Sequence, residues 1–157
     1  MTDQEFLDLF EEALFIPDLR ARDKEGVLRE FVDKLHQAEK ISDQEIVLDM
    51  LLKRESLGST AMGKGVAIPH GRTLMARRLI LAFGRCKEGL DFDAPDEKPV
   101  HLFFLIIAPY QERKNQYLPV LGKLAGFFRR EGVRKKLLQI SDFKEFRDVL
   151  LTEAGSQ

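Results

Sequence analysis

The 157 residues contain no tryptophan, one cysteine, two tyrosines and three histidines, and each scarcity closes off some options. A lone Cys86 rules out an internal disulfide framework and suits a reducing compartment. The histidines are scattered, with no H-x-x-x-H, H-E-x-x-H or C-x-x-C spacing, so no ligand cluster for zinc exists and neither metal nor cofactor is expected. The longest strongly apolar run, Leu102 to Ala108, falls far short of the ~20 residues that span a bilayer. The opening MTDQEFLDLFEE is acidic and amphipathic rather than a charged-then-apolar leader. A cytoplasmic protein without stable membrane insertion is the expectation.

Charge and apolar side chains are abundant, at 32% and 44% of residues, the balance of a chain that folds around a core. Residues 1–157 read as one domain. The net charge of −1 hides an asymmetry: the first 50 residues carry 14 acidic and 6 basic side chains, the remainder 12 and 19. The run RREGVRKK at 129–136 raises the question of nucleic acid. It lacks interleaved aromatics, because Phe127 and Phe128 fall on the apolar side of a helical pattern. A solvated helix face is the better reading, and no nucleic-acid partner is expected.

Spacing divides the chain into helices, then strands, then helices. Thr2-x-x-Glu5 is a capping box, followed at helical intervals by Phe6, Leu9, Phe10, Ala13 and Leu14. A second helix shows Val27, Leu28, Phe31, Val32 and Leu35 behind Asp23 as cap. A third opens at Ser42-x-x-Glu45, turns Ile46, Val47, Met50 and Leu51 to the core, and ends by Gly58. LILAFGRC and VHLFFLIIAP read as strands, the second apolar on both faces and therefore central. Pro119 suits a first helical turn, so a helix should start close to Tyr117 and bury Leu118, Leu121, Leu124, Ala125 and Phe128. A last helix opens at Asp142-x-x-Glu145. The expected fold class is α/β: a single layered domain, a mixed β-sheet flanked by helices on both faces.

The stretch GSTAMGKGVAIPHG, residues 58–71, holds the candidate chemistry. Gly58, Gly63 and Lys64 match a phosphate-binding loop, G-x-x-x-x-G-K-[ST], but Gly65 lacks the hydroxyl that would hold Mg²⁺. The order is also helix–loop–strand instead of strand–loop–helix, so nucleotide binding ranks last. Of the histidines, His36 reads as a surface or half-buried residue and His101 as structural or bordering a site. His70 stands between a proline and a glycine, in a loop open to close approach by a ligand. A nucleophilic pairing of Cys86 with His70 is unfavoured, since Cys86 ends an apolar strand where a buried thiol is common.

RESLGSTAMGKGVAIPHG, together with GLDFDAPDEKPVHLFFLIIAP and LGKLAGFFR, resembles the type-2 enzyme IIA domains of the phosphoenolpyruvate-dependent phosphotransferase system. This is the fructose, mannitol and nitrogen-regulatory group, and FDAP…KPV is most like the nitrogen-regulatory branch. The resemblance implies that His70 is phosphorylated by an HPr-type phosphocarrier protein, with no metal, and that Arg54 holds phosphoryl oxygens. Without the resemblance, Arg54 is a cation at a helix C-terminus. Glu55 reads equally as the partner of that arginine and as a helix-end charge. Ser59 and Thr60 serve either the phosphate or the turn, Gly71 joins them as a phosphate-binding candidate, and Lys64 is solvated. Relatives commonly carry a second active-site histidine where Tyr117 stands, and a phenol can supply a hydrogen bond but not a positive charge. A regulatory phosphocarrier is the first functional reading. The alternatives are a sugar-pathway enzyme IIA that passes phosphate to an enzyme IIB, and a binding module that signals to regulated target proteins without phosphorylation.

Overall fold

The computed structural model describes residues 1–154. In chain order they form α1 (Asp3–Asp8), β1 (Phe10–Ile16), α2 (Lys24–Gln37), α3 (Gln44–Ser56), β2 (Ala61–Gly63), β3 (Val66–Ala67), β4 (His70–Arg72), β5 (Ile80–Leu90), β6 (Val100–Ala108), α4 (Tyr117–Phe128), α5 (Glu131–Leu137) and α6 (Phe143–Ala154). The six-stranded mixed sheet runs β1-β5-β6-β3-β2, with β4 also on β6. The α/β architecture with helices on both faces is as expected. Along β6 the side chains alternate: Phe103, Leu105 and Ile107 join the core under α2 and α3, while Leu102, Phe104 and Ile106 join the core under α1, α4, α5 and α6. A strand buried on both faces has to be apolar throughout, which is why this one was legible as central.

Three expectations about the elements need correction. The first helix stops at Asp8, and Phe10–Ile16 is a strand parallel to β5. A register irregularity between Phe10 and Phe15 sends Phe10 to one core and Leu14 to the other. The four-residue spacing that imitates a helix is thus a bulged strand with its two apolar anchors on opposite faces. At α3 the cap is Asp43, accepting from the Ile46 N–H at 3.1 Å, whereas the Ser42 hydroxyl meets Met75 Sδ. The buried face is Val47, Leu48 and Leu51, and Ile46 is 49% exposed. In α4 the buried stripe begins at Tyr117 and runs through Val120, Leu124, Phe127 and Phe128, so Leu118 is 69% exposed. The other caps stand: Thr2, Asp23 and Asp142 each accept from the N–H three residues on.

The basic run has a structural use. Arg134 donates to the Phe128 carbonyl at the end of α4, and Arg130 donates to the Glu153 carbonyl near the end of α6. Arg85, on β5, is 2% exposed and donates to Leu137 and Ile140 at the end of α5, and to Pro17. Each of three helix C-termini thereby receives a cation on carbonyls that the helix itself leaves unpaired. Burial pulls the Arg85 guanidinium below its ordinary pKa, opposed by Asp18 and Glu145. Arg85→Met should lower unfolding stability by about 3 kcal/mol, because it strands several carbonyl acceptors at once. Urea denaturation checks this, and an unchanged midpoint would mean that water replaces the guanidinium.

Candidate functional site

The strands β3 and β4 are two halves of one strand. Val66 pairs with Leu102, Ala67 with Phe103, His70 with Ile106, Gly71 with Ile107 and Arg72 with Ala108, so the register along β6 is constant across the break. The break falls at Ile68–Pro69. Pro69 accepts from the Ile106 N–H at 3.0 Å, but has no N–H to return the second ladder bond. Its neighbour Ile68 donates instead to the Thr60 carbonyl at 3.1 Å. The Ile68 carbonyl lies 2.7 Å from His70 Nδ1. That oxygen can only accept, so Nδ1 carries the proton and Nε2 holds the free lone pair. His70 therefore sits on a short strand rather than in the glycine loop.

The loop before it is a hairpin. Gly63, Lys64 and Gly65 all have positive φ, at 87°, 58° and 81°, and connect β2 to β3. Asp96 grips this turn by accepting from the Lys64 and Lys98 N–H groups at 2.8 and 3.1 Å. Those two backbone hydrogen bonds hold the Asp96 carboxyl below its ordinary pKa. The glycines serve a tight turn and no nucleotide, and the Lys64 side chain is exposed, as expected.

Arg54 lies in the last turn of α3 and donates to the Gly58 carbonyl at 2.8 Å. Gly71 controls how closely α3 approaches. A Cβ there would lie 2.1 Å from Met50 Sδ, so the glycine gives this flexible side chain of α3 its place against β4. Ser59 donates to the Phe92 carbonyl at 2.5 Å and accepts from the Ala61 N–H. Thr60 donates through both its N–H and its hydroxyl to Glu55. Both hydroxyls are engaged inside the protein, which favours the turn over the phosphate for these residues. Glu55 is 7% exposed and also pairs with Lys24 Nζ at 3.0 Å, so it is no ordinary helix-end charge. Lys24 in turn covers the Phe92 ring at 4.7 Å.

Tyr117 faces the histidine. The two rings meet edge to face, with centroids 6.2 Å apart. Arg72, which sequence reading did not single out, stacks its guanidinium on the other part of this wall, Cζ 4.5 Å from the tyrosine centroid. The only available signal was its position two residues beyond His70, on the same side of a strand that the sequence does not reveal as a strand. Burial raises the Tyr117 phenol above its ordinary pKa, and the charges of Arg72 and then Arg54 pull against that rise. His70, Arg72 and Tyr117 form one group, with Arg54 near enough for its charge to act on the phenol, while His36 is exposed. His101 is occupied elsewhere, its Nδ1 near the carbonyls of Cys86 and Lys87. Cys86 is buried on the α2–α3 side of the sheet. No group of acidic, histidine or cysteine side chains that would hold a metal occurs among the described residues, and no helix there is long and apolar enough to cross a membrane.

A family model, "Phosphoenolpyruvate-dependent sugar phosphotransferase system, EIIA 2", matches residues 8–153. The fructose-specific EIIABC component of Bacillus subtilis is 35% identical over 133 residues, 85% of this chain, and the chain spans only 21% of that protein's length. The fructose-specific EIIA component of Haloferax volcanii is 37% identical over 127 residues, covering 81% of this chain and 82% of that one. Among solved structures, the nitrogen regulatory protein IIA-Ntr from Neisseria meningitidis superposes with a TM-score of 0.85 at 35% identity, over 93% of this chain and 99% of that one. Enzyme IIAMTL from Escherichia coli, solved in complex with phosphorylated enzyme IIBMTL, superposes at 0.75 with 22% identity, over 91% and 97% of the two chains. At that identity the likeness is one of fold.

Two outcomes follow from this geometry. Glu55→Ala should destabilise the fold by about 3–5 kcal/mol, since it leaves Lys24 and the Thr60 donors without their acceptor, and hydrogen exchange of the Thr60 amide should accelerate most. The second concerns alkaline pH. The folded phenol of Tyr117 ionises at higher pH than the unfolded one, so its contribution to stability is complete below the unfolded pKa near 10 and declines as pH rises through the folded value. Tyr117→Phe should lack this part of the alkaline decline, as measured by thermal denaturation from pH 9 upward, and identical slopes would place the ring in solvent.

Proposed function

The chain belongs to the phosphoenolpyruvate-dependent sugar phosphotransferase system EIIA 2 family, and from that premise we propose that His70 accepts and passes on a phosphoryl group. The observation that carries this reading is the 2.7 Å contact of His70 Nδ1 with the Ile68 carbonyl, which fixes the tautomer and presents Nε2 as the nucleophile. The donor is the phosphohistidine of an HPr-type phosphocarrier. His70 Nε2 attacks phosphorus as the donor's N–P bond breaks. The donor ring, protonated on its other nitrogen, leaves as neutral imidazole, and the His70 ring takes up the matching positive charge with its Nδ1–H still on Ile68. One N–P bond replaces another of the same kind. The step is nearly balanced in energy, so positioning and charge stabilisation are all the protein has to provide. Arg54 supplies charge from the end of α3, with a planar fork suited to phosphoryl oxygens.

The role we favour is regulatory, a phosphocarrier whose modified state is read by target proteins. The close superposition on IIA-Ntr over 99% of that chain supports it, whereas the fructose-specific relatives support the second reading, transfer onward to an enzyme IIB. The complex known for the mannitol enzymes is the model for that second partner. Failure to phosphorylate a purified enzyme IIB at a rate comparable with acceptance would favour the regulatory role.

Incubation with phosphoenolpyruvate, enzyme I and HPr should add one phosphoryl group by intact mass, labile in acid and stable in base, and His70→Ala should take up none. Labelling of that variant would overturn the assignment. No gain by the unaltered protein would leave the reading as a phosphorylation-independent binding module. Arg54→Ala should stay folded and accept on the order of 10²-fold more slowly, with only part restored by Arg54→Lys. Equal rates would reduce Arg54 to a cap on its own helix.

A further inference from the structure

An arginine two residues beyond the nucleophile has no part in the step as written. His70 and Arg72 stand at i and i+2 of β4, so their side chains leave the same face of the sheet, the face covered by α4. Both meet one ring: the imidazole edge-on to Tyr117 at 6.2 Å and the guanidinium over it at 4.5 Å. Arg72 also donates to the Pro109 carbonyl at 3.1 Å, which anchors the fork at the end of β6 and leaves its remaining N–H donors uncommitted to that carbonyl. The side chain is half-buried, so its charge is less screened than that of a surface arginine.

We propose that Arg72 is a second catalytic cation, contacting the phosphoryl oxygens during transfer to and from His70, with the Tyr117 ring as the plate that holds its guanidinium in place. This rests on His70 being the phosphoryl acceptor. The transferring group carries charge on three equatorial oxygens, and Arg54 approaches it from the α3 side alone. Tyr117 is a neutral phenol at physiological pH, so positive charge on the α4 side of the site has to come from Arg72. A stacked guanidinium keeps its plane while its edge stays available, and it is already desolvated on one face. Little reorganisation remains when the phosphoryl group arrives.

The competing role is a clamp, in which Arg72 only ties β4 to the loop after β6 or touches the incoming carrier protein. Two phosphoryl donors separate these roles: phosphorylated HPr, which must dock, and phosphoramidate, a small N–P donor that need not. Arg72→Gln should accept on the order of 10²-fold more slowly from both donors, with part of the rate returned by Arg72→Lys and an unchanged thermal midpoint. Tyr117→Ala should slow both reactions too, and its loss should not multiply with that of Arg72→Gln. Parental rates with phosphoramidate would overturn the proposal, and a defect confined to phosphorylated HPr would make Arg72 a docking contact. Should Arg72→Gln fail to fold, full parental rates for a folded Arg72→Lys would overturn it equally, since a catalytic fork is not replaced by an ammonium. Unaltered protein that takes phosphate from neither donor would remove the His70 reading itself, and the proposal with it, whatever the variants do.

Discussion

A buried carboxylate organises the corner on which the site stands. Glu55 ends α3, and three donors converge on it: Lys24 from the start of α2, and the N–H and hydroxyl of Thr60 from the loop that follows. An ionised carboxylate withdrawn from water is tolerable only with such partners. In satisfying it the chain has little freedom left between residues 55 and 60. The Thr60 carbonyl then receives the Ile68 N–H, and the Ile68 carbonyl receives His70 Nδ1. The imidazole orientation is thus held, link by link, from a salt bridge at the far end of the loop. The last two links are ordinary hydrogen bonds worth about 1 kcal/mol net each. Their combined effect is geometric: one tautomer, one ring orientation and one exposed nitrogen.

Charge around His70 is arranged with similar restraint. The Tyr117 phenol lies against both His70 and Arg72, within reach of the Arg54 charge, and burial opposes its ionisation more than the two arginines favour it. The carboxylates nearby are committed to other groups: Glu112 accepts from the Gln116 and Tyr117 N–H groups, and Glu55 is held by Lys24 and Thr60. On the function proposed for His70, a dianionic phosphoryl group would enter with the Arg72 guanidinium already held in place beside it. This lowers the cost of charge in transit without making the phosphorylated state so stable that it cannot be passed on. For a carrier, that second condition matters as much as the first, because binding the transferred group too well would merely deepen a resting state.

Much of this was legible in the sequence, for identifiable reasons. Helix caps are local devices, and Thr2, Asp23 and Asp142 all act as their spacing indicates. A two-face apolar strand can only be central, and β6 is. Pro119 marks the first turn of α4 and so places Tyr117 at the helix start, which brought the phenol to the histidine. What escaped reading depends on partners distant in sequence. Phe10 and Leu14 look helical until a bulge against β5 assigns them to different cores. Asp43 outcompetes Ser42 as a cap, and the choice between adjacent oxygens turns on where Met75 lies. Glu55 resembles a solvent charge unless Lys24, 31 positions earlier, is known to reach it. Arg72 was invisible because β4 is three residues long, too short for any alternation to declare which side chains share a face.

That short strand also explains how His70 can be half-buried yet held in one place. A histidine on a flexible loop would reach a donor protein easily but would have to be ordered at each encounter, an entropic cost of ~1–2 kcal/mol for each residue fixed. A histidine in an uninterrupted strand would be fixed, but its ladder would engage every neighbouring carbonyl. Pro69 provides the intermediate case. It omits one ladder bond, keeps the other through its carbonyl to Ile106, and leaves the register on β6 unchanged on either side. The Ile68 carbonyl lies on the other side of the strand, towards Thr60; with the Thr60 N–H given to Glu55, it meets His70 Nδ1. The orienting partner of His70 is thus left free by Glu55, which takes the Thr60 N–H, while Pro69 omits one bond to β6 without loosening the strand that carries the histidine.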